Sequence, residues 1–190
     1  MSSFPVSSEP IGKPLARIRN ISRWMRWLTM GGIVLVPVIS CLFWFWVPGA
    51  ELAAAVRGIV GASPSNLVNV SMLYRTAGFV ITGGSLTLLL CALFQAHRMF
   101  AAFVNGAVLT METAVRLRWM ALALVALGPA LPLTKTALGL AMVNTADGPY
   151  GAILVSFSDY LLSLLGGLLL AIAWAMVEAS RLARENESFV

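Results

Sequence analysis

Two residues could do chemistry that the rest of this sequence cannot. Lys135 and Asp159 are the formal charges standing inside otherwise apolar stretches, 120–140 and 153–177. A charged side chain at membrane depth is expensive; it persists by pairing or by handling an ion or substrate. Lys135 lies 17 residues past Arg118, and Asp159 lies 19 residues before Glu178. On adjacent antiparallel helices rising about 1.5 Å per residue, both stand roughly 25–29 Å above one surface. An ion pair between them is one reading. The other has Lys135 snorkelling from the end of its stretch to the headgroups, with Asp159 capping a helix N-terminus. Both stay open.

Other chemistry finds no residues. There is no Walker loop, no His-Glu-x-x-His, no Gly-x-Ser-x-Gly and no Cys-x-x-Cys. His97 is the single histidine, and Cys41 and Cys91 give neither a disulfide framework nor zinc spacing. In helices the two cysteines differ in depth by about 10 Å, too far for a bond. The expectation is a protein with no catalytic residues, no metal and no cofactor, which is not an enzyme.

The elements that must position Lys135 and Asp159 follow from composition. Of 190 residues 59% are hydrophobic and 11% charged, against about 25% charged in soluble domains. Four stretches, 28–47, 76–96, 120–140 and 153–177, reach the roughly 20 apolar residues that cross a bilayer. Each must be helical, because lipid offers no partner to a free backbone amide. The sequence thus predicts an all-α membrane protein, an antiparallel four-transmembrane-helix bundle at 28–177. A basic segment (1–27) precedes it and a tail (178–190) follows. The connections are too short to fold as soluble domains. The first stretch is also too long for a signal-peptide core, although Ala53-Ala54-Ala55 resembles a cleavage site.

The net charge of +5 could suggest nucleic acid, but its distribution points to orientation. Lys13, Arg17, Arg19, Arg23 and Arg26 precede the first span. Arg98, Arg116 and Arg118 lie between the second and third, and Arg181 and Arg184 follow the fourth. Arg57, Arg75 and Lys135 fall on the other side. The positive-inside rule then puts both termini in the cytoplasm, with no direct nucleic-acid binding. The aromatics repeat the pattern: Trp24, Trp27, Trp119 and Trp174 near inner ends, and Trp44, Trp46, Tyr74, Tyr150 and Tyr160 near outer ends, as interfacial belts require.

Some features concern surfaces. Residues 15–27 alternate apolar and basic faces at helical spacing, suited to anionic headgroups or an acidic protein. The tail continues the fourth span, with Glu178, Arg181 and Glu185 at spacings of three and four. Small residues, Gly78, Gly83 and Gly84 in the second span and Gly166, Gly167 and Ala171 in the fourth, predict close helix packing within the bundle or a homo-oligomer. Pro129 and Pro132 predict a kink in the third span. Residues 50–60 predict a short helix lying on the membrane.

Three segments carry a family resemblance: Pro14–Arg23 before the first span, Phe103–Arg118 before the third, and Glu178–Val190 at the end. Together they resemble the bacterial four-span family catalogued as domain of unknown function 2975, over nearly the whole chain. The tail departs from that family's pattern, with Ser180 at a position where Gly is frequent and Ser-Phe-Val in place of Leu-Thr-Val. Members are often encoded beside a small helix-turn-helix regulator, so the resemblance implies a membrane partner for a transcription factor. Docking would use Arg17, Arg19, Arg23, Arg26, Arg98, Arg116, Arg118, Arg181, Arg184 and Glu185, with the Asn105-Gly106 turn. The expected function is a regulatory membrane protein that sequesters such a regulator. The alternatives are an accessory subunit of a larger membrane complex, or a small transporter or channel.

Overall fold

The computed structural model describes residues 12–63, 67–105, 110–145, 148–149 and 153–187, with side chains between 20 and 182 in those ranges except at 145, 148 and 149. In chain order come α1 (Gly12–Phe45), α2 (Gly49–Val60), β1 (Leu67–Val68), α3 (Met72–Val104), α4 (Met111–Met142), β2 (Val143–Thr145), β3 (Gly148–Pro149) and α5 (Phe157–Glu187). Four of the helices carry apolar windows of mean hydropathy 1.5 to 2.2. The chain is an integral membrane protein, and its fold is an all-α four-helix bundle.

The long helices pack in chain order: α1 on α3, α3 on α4, α4 on α5. Among the described residues α1 and α5 are not a packed pair, so the row stays open. The central α4 buries Ala114, Leu117, Ala121, Leu127, Leu138 and Met142, whereas the flanking helices turn Val34, Leu35, Ile39, Leu164 and Leu168 outward. Outward leucines are at home in lipid, which is as apolar as they are. Helix α4 starts at Thr110, whose hydroxyl accepts from Thr113 N at 3.3 Å while Thr113 Oγ1 accepts from Thr110 N at 3.2 Å. It runs as one helix through Pro129 and Pro132.

The helices are longer than the apolar stretches that announce them. With 33 residues, α3 is about 50 Å long, against a hydrocarbon core of about 30 Å. Arg98 therefore belongs to α3, and Arg116 and Arg118 to α4, rather than to a loop; the connection between these helices spans only 105–110. From Gly12 on, α1 carries the basic residues without a break into the first span. Helix α5 begins at Phe157, leaving 153–156 outside it.

One end of the bundle carries a cap. Leu52, Val56 and Val60 recur every four residues on α2 and are fully buried with Trp44, Leu138, Met142 and Val143. This helix does not lie on the membrane with its apolar stripe in lipid; the stripe is turned into the protein. Gly61 ends α2 in the left-handed region (φ 62°), and a Cβ there would meet Leu154 Cδ1 at 2.6 Å. Beside α2 the strands form an antiparallel sheet ordered β1-β2-β3, with Leu67 opposite Asn144 and Asn144 opposite Pro149. The other end, where 105–110 joins α3 to α4, is basic.

Candidate functional site

The capped end holds the buried ion pair. Lys135 Nζ donates to Asp159 Oδ2 at 2.8 Å. The same oxygen accepts from Ser156 N at 3.0 Å. Asp159 is the third residue of α5, so its carboxylate closes the first turn of that helix while neutralising the ammonium. The two readings of the sequence meet in one side chain: Asp159 is paired, and it caps, although through Ser156 rather than as the cap residue itself. Asp159 is 5% exposed.

Two glycines bring α4 and α5 close enough for this pair. A Cβ on Gly128 would run into Ser163 and lie 3.1 Å from the Asp159 carbonyl; one on Gly166 would lie 2.7 Å from Val125 N. Of the small residues read from spacing, Gly166 lies at this interface, and Gly78 makes room for the Trp44 ring on α1. Gly83, Gly84 and Gly167 have open space where a side chain would stand, and Ala171 is exposed. Their expected packing within the bundle is not found. Spacing gives the stripe but not the face it occupies.

Trp44 is not in an aromatic belt. It is 2% exposed, against 83% for Trp46 and 80% for Trp24, and its Nε1 donates to Thr82 Oγ1 at 3.1 Å. Beside it Arg75 closes the end of α1, donating from Nη1 to the Trp44 and Val47 carbonyls (3.1 and 2.9 Å) and from Nε to the Val70 carbonyl (3.2 Å). A cation is well placed on the orphan carbonyls of a helix C-terminus. The sequence reading counted Arg75 only for its sign.

Because the row of helices stays open, a cavity of about 470 Å³ remains between its flanks. Ser40 of α1 and Leu162 of α5 border it on either side, Ile59 of α2 at the capped end, and residues of α3 and α4, Lys135 among them, form the floor. Ser85 and Thr134 hydrogen-bond to each other on that floor.

At the basic end the candidate docking residues divide. Arg116 pairs with Glu112 and donates to the Arg98 carbonyl at 2.8 Å, tying α4 to α3. Arg118 lies 5.2 Å above the Trp174 ring and ties α4 to α5; Arg98 lies 5.7 Å above Phe94. His97 Nδ1 is 3.4 Å from Thr29 Oγ1 and 3.3 Å from the Arg26 carbonyl, linking α3 to α1. Arg23 and Arg26 are exposed, have no carboxylate partner among the described residues, and line a cavity of about 290 Å³ with Trp27, Met30 and Val104. Arg181 is exposed on α5. The side chains of Arg17, Arg19, Arg184 and Glu185, together with Gly106 and Tyr150, lie outside the described residues.

Among the described residues no three His, Cys, Asp or Glu side chains converge as metal ligands. What the geometry defines is a small polytopic membrane protein with a closed polar end and an open basic end. No family model, curated protein or solved structure matches the chain.

Proposed function

We propose that this chain is a non-enzymatic regulatory protein of a bacterial inner membrane, with both termini in the cytoplasm. It binds a small cytoplasmic helix-turn-helix regulator at its basic end and keeps it from DNA. One observation supports this reading best. Ten of the 13 Lys and Arg residues belong to the end where the helices overrun their apolar windows, and cytoplasmic flanks carry such an excess. Arg23 and Arg26 offer that end two guanidinium groups without carboxylate partners among the described residues. They suit an acidic surface on the regulator, remote from its DNA-reading helix, or anionic headgroups.

The test is co-purification from native membranes in mild detergent. The expected result is recovery of a small DNA-binding protein with the wild-type chain and its loss with Arg23→Gln/Arg26→Gln. Recovery of no DNA-binding protein by a chain with its tail intact overturns the proposal. A second reading, an accessory subunit of a larger membrane complex, is favoured by α5, whose Leu161, Leu164, Leu165, Leu168 and Ile172 are exposed. It predicts that deleting the gene dissolves a membrane complex resolved on native gels.

A further inference from the structure

At the basic end Arg23, Arg26, Trp27 and Met30 of α1 follow one another at offsets of three, four and seven residues, which is a single stripe on a helix. With Val104, the last residue of α3, that stripe lines the cavity of about 290 Å³. Its wall is polar as well as apolar, and the polar side-chain atoms of its lining residues are those of the two guanidinium groups and the Trp27 indole. Each guanidinium carries five N–H donors in a planar fork that matches a phosphate. Neither has a hydrogen-bond or ion-pair partner among the described residues.

The stripe is graded along the helix. Arg23 lies toward the aqueous end, Arg26 and Trp27 stand where the apolar stretch 28–47 begins, and Met30 lies inside it. From Arg23 to Met30 the helix rises about 10 Å. Trp24 and Trp27 are exposed at this depth, as rings at the headgroup level are. A phospholipid presents the matching order along the membrane normal, with its phosphate outside and its glycerol and chains inside. An acidic protein surface meets the guanidinium groups and leaves Met30 below them uncovered. The charge also selects among heads. Two guanidinium groups without a carboxylate repel the cationic nitrogen of a zwitterionic head and attract a phosphodiester that carries no such nitrogen.

We infer that this cavity holds the phosphodiester of one anionic phospholipid on Arg23 and Arg26. The site goes beyond the regulator reading and does not rest on it: the lipid is the occupant that a protein docking on these arginines displaces. The protein purified in neutral detergent, with no other protein present, is titrated with dioleoylphosphatidylglycerol, dioleoylphosphatidylcholine and inorganic phosphate, and adducts are counted by native mass spectrometry. The two lipids share their chains and their phosphodiester and differ in the charge of the head. The wild type is expected to hold one phosphatidylglycerol about tenfold or more tighter than phosphatidylcholine, and inorganic phosphate at equal concentration does not displace it. Arg23→Gln/Arg26→Gln, which leaves Lys13, Arg17 and Arg19 in place, brings the two lipids to equal affinity. Val104→Trp fills the cavity while leaving both guanidinium groups, and weakens phosphatidylglycerol about tenfold. If Val104→Trp fails to fold, the exposed arginine pair and the wild-type comparison still decide the point. Equal retention of the two lipids by the wild type, a preference that survives in Arg23→Gln/Arg26→Gln, binding unchanged in a folded Val104→Trp, or displacement by inorganic phosphate overturns the inference. Equal retention together with loss of the regulator in the arginine variant assigns these arginines to the protein partner instead.

Discussion

The two ends of this bundle use similar residues for different purposes. At the capped end a tryptophan, an arginine and an ion pair are turned inward: Trp44 between α1 and α3, Arg75 on the last carbonyls of α1, Lys135 on Asp159. At the basic end Trp24, Trp27, Arg23 and Arg26 face out, and the Arg116–Glu112 pair joins a partly buried arginine to an exposed glutamate one helical turn away. Residue type does not decide between these roles. A short helix and three strands close one end over its polar groups, and no comparable element covers the other among the described residues.

The contrast can be broken by substitution. The largest effect is expected at Trp44. Trp44→Ala leaves a void against Gly78 and takes one donor from Thr82, and lowers the unfolding free energy in mixed micelles by about 3–5 kcal/mol. Trp24→Ala stays within about 0.5 kcal/mol, and equal losses would erase the difference between the ends. Next comes the buried pair. Lys135→Ala and Asp159→Asn, singly and together in the same assay, should show a coupling of about 1–3 kcal/mol. Additive losses would mean the pair does not stabilise the fold. The smallest effect is at Glu112, the exposed partner of Arg116. Glu112→Gln costs about 0.3–0.5 kcal/mol, and a cost matching that of the buried pair would show that the basic end is drier than its exposure implies.

Much of this was readable in the sequence, and the rest was hidden for identifiable reasons. Hydropathy finds four spans because lipid forces twenty-odd apolar residues into each. It reads bilayer thickness rather than helix length, so it puts Arg98 and Arg116 in a loop when they ride on helices that continue into the aqueous phase. Helical rise alone brings Lys135 and Asp159 to one depth, but depth carries no azimuth. That is why Trp44 and Trp46, two residues apart, look alike in sequence and end on opposite sides of the protein boundary. Azimuth was set by glycines on other helices, Gly78 for Trp44 and Gly128 for Asp159, and a glycine's neighbour across an interface leaves no trace in local spacing. The sheet was invisible because strands of two and three residues are too short for alternation to register.

The unclosed row has a consequence for how the molecule is made. Each long helix packs on the one that precedes or follows it among the four, so none of these four waits for a partner encoded far downstream, whereas α2 is covered only when Leu138 and Met142 of α4 arrive. Contacts local in sequence form early and at small cost in loop-closure entropy. As the chain leaves the ribosome, α1 and α3 can dock before α4 is synthesised, and each later helix adds to a surface already in place. The order of assembly is written in the order of synthesis, and α5, the last to arrive, brings the carboxylate that neutralises Lys135.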